Sequence, residues 1–209
     1  MKSWFRIATD LVVWLVVALV CASAAADPRQ ALSERLAGMD VFVADFSQEI
    51  RGAQGQVLER STGRFVLDRP RFKWEVDHPY PQTVVTDGDQ LKVYDADLEQ
   101  LTIRPLADAL ADTPVSLLTR EGVALGDEFQ VVEVTDELGA SFILTPNAPD
   151  TLYAQIRLHF SGNGLAALAI TDHLGQFTEI LFTTSAEPPV IQSSEFQLVV
   201  PPGTDVIGG

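Results

Sequence analysis

The stretch that decides the fold runs from Phe65 to Leu106: FVLDRPRFKWEVDHPYPQTVVTDGDQLKVYDADLEQLTIRPL. Phe65, Leu67 and Arg69 share one face of a first strand. After the Pro70 break, Phe72, Trp74 and Val76 share one face of a second. Thr83 to Thr86 make a short strand turned by Asp87-Gly88-Asp89, and Leu91 to Asp95 and Leu101 to Ile103 continue the meander. Period-two alternation broken by Asp, Gly and Pro marks antiparallel hairpins with one buried face. Arg69 is the odd member, because a guanidinium on an apolar face needs a partner and none lies nearby in sequence.

Downstream of this stretch the period changes. LADALADTPVSLLTREG, residues 106–122, has helical composition broken at Thr113-Pro114, with Thr113 as N-cap and Pro114 at the first helical position. Two short helices are expected there, too short to be stable alone. Residues 122–127 read as a loop. The second half is again β, with strands expected at 128–135, 140–145, 151–160, 165–172, 176–184 and 195–200. Asp136-Glu137-Leu138-Gly139, Ser161-Gly162-Asn163-Gly164 and Asp172-His173-Leu174-Gly175 supply the turns.

Upstream, Phe42, Ala44, Phe46, Gln48 and Ile50 alternate as a strand, 52–55 is a turn, and residues 57–62 lead into the opening stretch. Before them, Asp27 caps a short amphipathic helix that starts at Pro28, carries Leu32 and Leu36 on one face and stops at Gly38. The total is about eleven strands with no βαβ alternation. The expected fold is mostly β (α+β): an incomplete antiparallel barrel with short α-helices lidding an apolar cavity.

Residues 1–26 read as a cleaved secretory signal peptide, leaving one domain over 27–209. Lys2 and Arg6 form its positive end, Leu11 to Val20 its apolar run, and Ala24-Ala25-Ala26 its small-residue cleavage site. Cys21, the only cysteine, falls inside this segment, so the mature chain has no thiol and no disulfide framework. Loss of Lys2, Arg6 and Asp10 takes the formal charge from −15 to −16. Such acidity argues against nucleic acid and against anionic lipid surfaces. The basic residues Arg60, Arg64, Arg69, Arg71 and Lys73 are the one candidate for a local basic patch on the outer face.

No catalytic constellation is visible. His78, His159 and His173 have no second ligand at a metal spacing, and there is no G-x-S-x-G elbow, no P-loop and no G-x-G-x-x-G. Neither a metal nor a cofactor is expected. The Asp95/Asp97 pair suits a solvated turn better than a glycosidase. What stands out is a surplus of large apolar side chains on strands. If two small helices cover them incompletely, an apolar cavity remains to bind apolar ligands; a fully packed core is the competing possibility.

The chain resembles the LolA family of periplasmic outer-membrane lipoprotein carriers. The matching residues are Phe42, Phe46 and Gln48; Arg69-Pro70 with Phe72 and Trp74; His78-Pro79-Tyr80 and Gln82; Asp87-Gly88 with Leu91; Tyr94-Asp95 with Leu98-Glu99-Gln100; and Thr113-Pro114 with Leu117-Leu118. They continue through Leu144-Thr145-Pro146, Asp172 with Leu174-Gly175-Gln176, Thr178 and Phe182, and Phe196 with Pro201 to Val206. One departure is that only Arg71 separates the Arg-Pro from Phe72, where members usually have two residues. The receptor LolB shares the fold but is a lipoprotein, which the context of Cys21 does not suit.

The resemblance implies a monomeric, non-enzymatic carrier of acylated lipoproteins, loaded by the inner-membrane LolCDE transporter and unloaded to LolB at the outer membrane. It implies that Arg69 latches the lid through backbone carbonyls of the lid helices. The cavity and lid are expected to be lined by Phe46, Phe65, Leu67, Trp74, Leu91, Val93, Leu101, Ile103, Leu117, Leu118, Ile156, Leu158 and Phe182. A lipid- or envelope-sensing module of the same fold is the alternative, and a β-scaffold hydrolase is disfavoured by the missing nucleophile.

Overall fold

The computed structural model describes residues 27–106, 116–119, 128–185 and 190–208. The expected signal peptide, the Thr113-Pro114 cap and the loop at 122–127 lie outside them.

The chain enters through α1 (Pro28–Ala37). The Asp27 carboxylate accepts from the Arg29 N–H at 3.0 Å, which satisfies one of the free donors at the helix start. Leu32 and Leu36 are fully buried. Gly38 ends the helix in a right-handed conformation, so no left-handed glycine is needed there.

Six strands follow as a meander: β1 (Val41–Arg51), β2 (Val57–Asp68), β3 (Arg71–His78), β4 (Gln82–Thr86), β5 (Gln90–Asp95) and β6 (Gln100–Pro105). The short helix α2 (Ser116–Thr119) comes next. A second meander contains β7 (Phe129–Asp136), β8 (Gly139–Pro146), β9 (Tyr153–Ser161), β10 (Gly164–Asp172) and β11 (Phe177–Thr184). Antiparallel pairing of β1 with β11 joins the two. The result is one open sheet in the order β12-β6-β5-β4-β3-β2-β1-β11-β10-β9-β8-β7, where β12 is Asp205–Gly208.

The expected mostly-β, incomplete barrel is what forms: twelve strands, where about eleven were expected, make a sheet that does not close. The stretch expected as a strand at 195–200 is instead a 3-10 turn, Ser193–Phe196, followed by non-strand chain. Phe196 is drawn out of any ladder because its ring is buried against Val66 and Val85, with the Arg71 guanidinium 4.7 Å from its centroid. Pro201-Pro202 then offers no N–H donors, so pairing resumes only at Asp205. There the chain forms the sheet's parallel pair, β12 alongside β6, with Asp205 opposite Gln100 and Gly208 opposite Ile103.

The two faces of the sheet differ. On the core face, one cluster takes in Leu32 and Leu36 of α1, Leu117 and Leu118 of α2, and side chains from both meanders. The opposite, outer face carries a smaller cluster, in which Ile191, Phe196 and Leu198 pack over Val43, Val66 and Val85. Helix α1 is fixed by Arg35, which donates to the Gly162 carbonyl at 2.9 Å and lies over the rings of Phe142 and Phe160.

Candidate functional site

Cross-strand register builds the site. Phe42, Leu67, Phe72, Thr86 and Leu91 stand opposite one another across β1 to β5, so all share the core face. The next row on that face holds Ala44, Phe65, Trp74, Val84 and Val93. Phe182 of β11 enters opposite Phe46. Phe65 sits at the centre of the aromatics, with ring centroids of Phe42, Trp74 and Phe182 at 6.1, 5.4 and 6.2 Å. Phe46 and Trp74 stack at 4.0 Å, and Phe182 meets Phe42 edge-on at 5.5 Å. Offset and edge contacts of this kind are the favoured aromatic geometries.

Eight of the expected lining residues are buried in this one cluster: Phe46, Phe65, Leu67, Leu117, Leu118, Ile156, Leu158 and Phe182. Trp74 and Leu91 are half-buried against it. Val93 faces the same side, opposite Val84. Leu101 and Ile103 do not belong to this set. They pair with Tyr94 and Lys92, while Val93 pairs with Thr102 and Leu91 with Arg104. A one-residue offset in β6 therefore sends Leu101 and Ile103 to the outer face.

The members of the cluster are buried against one another. A cleft of about 680 Å³ lies elsewhere, around the start of β1, and its wall includes Val43, Val66, Ile191 and the Arg64–Glu195 ion pair at 3.6 Å. Phe42 and Ala44 reach it from β1, but its wall also carries the charged and hydroxyl groups of Asp45, Arg64, Glu195 and Thr183, which do not suit an acyl chain.

Arg69 follows directly on β2, at the edge of this cluster, and its side chain is only 5% exposed. Its Nε donates to the carbonyl oxygen of Leu118 in α2 at 3.0 Å. Its Nη1 lies 3.5 Å from Oδ1 of Asp40, and its backbone N–H donates to the Asp40 carbonyl at 3.0 Å. A buried guanidinium is tolerable only with such acceptors. Asp40 has no signal in the sequence, although it directly precedes β1, whose Val41 faces Asp68 in the ladder. Thr86 is a second residue that sequence reasoning misses: it is fully buried in the core-face row and its Oγ1 accepts from the Gly88 N–H at 3.0 Å. The tighter Arg-Pro to Phe72 spacing leaves Phe72 in register, buried and opposite Leu67.

The basic patch considered for the outer face does not form. Arg60 pairs with Glu49 at 2.7 Å, Lys73 with Glu75 at 2.9 Å, Arg71 with Asp68 and Arg64 with Glu195, while Arg69 is buried. His159 Nδ1 lies 2.9 Å from Ser141 Oγ on the outer face, where the two residues are cross-strand neighbours. His173 lies in a turn, and His78 ends β3. No group of three or more His, Cys, Asp or Glu is placed to hold a metal ion among the described residues. None of their helices is long and apolar enough to cross a membrane.

The profile of the family described as outer membrane lipoprotein carrier protein LolA matches residues 37–199. The outer-membrane lipoprotein carrier protein of Chromohalobacter salexigens is 39% identical over 180 residues, covering 84% of this chain and 86% of that one. The carrier protein of Hahella chejuensis is 36% identical over 197 residues, covering 92% and 94%. In architecture, an uncharacterized conserved protein of Thermus thermophilus superposes with a TM-score of 0.51 at 14% identity, over 85% of this chain and 97% of its own, a likeness of fold alone. Sequence identity of this extent, over nearly the whole length of the relatives, shows that the chain belongs to the LolA family of outer-membrane lipoprotein carrier proteins.

Proposed function

We propose that the protein is a non-enzymatic periplasmic carrier that takes the acyl chains of outer-membrane lipoproteins onto the core face of its sheet. The single observation that carries this reading is the aromatic cluster around Phe65 and Trp74, held under a four-residue helix by one arginine. Acyl chains entering this cluster exchange water for apolar contact at about 0.8 kcal/mol per CH₂. The lining set is Phe46, Phe65, Leu67, Trp74, Leu91, Val93, Leu117, Leu118, Ile156, Leu158 and Phe182. Leu101 and Ile103 drop out of it.

In the closed state α2 and its latch occupy the space that cargo needs. Opening costs free energy, so apparent affinity falls by the fraction of molecules that are open. Arg69 thus tunes the balance between holding and releasing. Cargo comes from the LolCDE transporter and passes to LolB, with residues 1–26 removed on export and the domain of 27–209 acting as a monomer. The test is a two-step transfer assay. Lipoprotein-bearing vesicles containing LolCDE should release lipoprotein into solution with this protein in 1:1 complex, and LolB should then strip it. Hydrolysis products, or release that is independent of this protein, would sink the reading.

A further inference from the structure

The outer face of the sheet is half covered. The C-terminal segment packs over Val43, Val66 and Val85 at the β1 to β4 end. At the β7 to β11 end, Val132, Val134 and Leu181 are 56%, 48% and 48% exposed. Register places them together. Val134, Ser141, His159, Ala167 and Leu181 form one row, and Val132, Ile143, Arg157 and Ala169 form the next.

Arg157 stands inside this apolar field with Ile143 and Ala169 as its cross-strand neighbours. It is exposed, and its guanidinium makes no hydrogen bond, ion pair or ring contact among the described residues. Other outer-face cations, Arg51, Arg60, Arg64, Arg71, Lys73 and Lys92, are each neutralised by a carboxylate. Along its own row the first carboxylate is Glu179, two strands away. In a chain of formal charge −15 this is a place where a carboxylate is not repelled by its immediate neighbours.

We infer that this half of the outer face is a docking surface for a protein partner that presents a carboxylate among apolar side chains. The inference rests on the carrier reading, and deepens it by giving the partner a surface opposite the cargo face. A solvent-exposed apolar patch with a central arginine has the composition of an interface core. One arginine in so acidic a chain does not suit nucleic acid or an anionic membrane, which need clustered cations. Docking here leaves α2 and the core face free, so a partner holds the carrier while acyl chains enter or leave.

The test uses the full mature chain, with LolCDE in nanodiscs and soluble LolB as the two probes. Arg157→Glu and, independently, Val134→Asp are compared with wild type. Both should weaken binding to the same one of the two probes by about tenfold or more. Both should leave acyl-chain binding, followed by quenching of Trp74 with a brominated diacyl lipopeptide, unchanged. Dissociation constants for both probes within about twofold of wild type would overturn the docking surface and leave the carrier reading intact. Sedimentation showing a wild-type dimer that Arg157→Glu dissolves would overturn it too, by assigning the face to a second copy. Wild-type binding to neither probe would overturn both.

Discussion

Arg69 Nε donates to the carbonyl oxygen of Leu118 at 3.0 Å, across 49 residues of sequence, and so ties the end of β2 to the helix above the aromatic cluster. The chain spends a nearly buried guanidinium on a four-residue helix that has little stability of its own. Arg69→Leu keeps apolar volume and removes the bond. The fold should survive, with a melting temperature within a few degrees of wild type. Amide exchange at Leu117 and Leu118 should accelerate, and transfer of cargo to the receptor should slow. Normal transfer by this variant would remove Arg69 from the latch role.

Asp40 holds the same guanidinium from the other side at 3.5 Å, but its own side chain is 82% exposed. Exposed ion pairs contribute about 0–1 kcal/mol. Asp40→Asn should therefore change lid exchange much less than Arg69→Leu does, and its small effect should vanish in high salt. Equal effects from the two variants would place the latch in the ion pair and not in the Leu118 hydrogen bond.

Phe65 is fully buried and touches Phe42, Phe72, Trp74 and Phe182. Phe65→Ala should cost about 3–5 kcal/mol in denaturant unfolding, as large-to-small changes in packed cores do. The same variant should bind apolar probes more tightly at low temperature, because the vacated space adjoins the acyl-chain site. A loss below about 1 kcal/mol would mean that the cluster is already loosely packed.

At Gly63 the limit is close approach. A Cβ there would lie 1.9 Å from the Glu75 carbonyl oxygen and 2.9 Å from Cζ of Phe46. Backbone cannot yield as a side-chain tip does, so Gly63→Ala should destabilise by more than about 3 kcal/mol, or leave the chain insoluble. A stable, soluble variant would contradict the β2–β3 register at this point.

The Asp87 carboxyl is held below the usual carboxylate range by the backbone N–H groups of Gln90 and then Asp89, with Lys92 adding a weaker pull. A depressed folded pKa contributes stability above the unfolded value near 3.9, and that stability is lost as pH falls through the folded pKa. Asp87→Asn should be slightly less stable than wild type at pH 7, and the gap should close below about pH 4. Urea midpoints measured across pH 2–7 test this; a gap that persists at pH 2 would contradict it.

Most of the sheet is legible in sequence because its strands are half-buried and alternate, and their turns carry Asp and Gly where donors and positive φ are required. Gly88, at φ +111° between β4 and β5, is one such turn residue. The errors fall where periodicity carries no information. β6 is short and apolar at alternate positions, yet its register, set by the β5 hairpin, turns Leu101 and Ile103 outward. The 195–200 segment alternates like a strand but is anchored through Phe196 to a surface that only the folded sheet creates. β12 pairs in parallel with a strand about a hundred residues earlier, a contact with no local signature. Arg69 is visible as an anomaly, but its acceptor Leu118 and its partner Asp40 come together only through tertiary structure.

In the proposed mature chain, residues 27–209, Trp74 is the only tryptophan, and it stacks on Phe46 at 4.0 Å inside the proposed acyl-chain site. Its fluorescence therefore reports that site alone. Titration of the mature protein with a diacyl lipopeptide brominated along its chains should quench Trp74 strongly and saturably at 1:1, and the unbrominated lipopeptide should shift its emission without quenching. Saturating, stoichiometric binding of the brominated ligand with Trp74 emission unquenched would put the acyl chains somewhere other than this face.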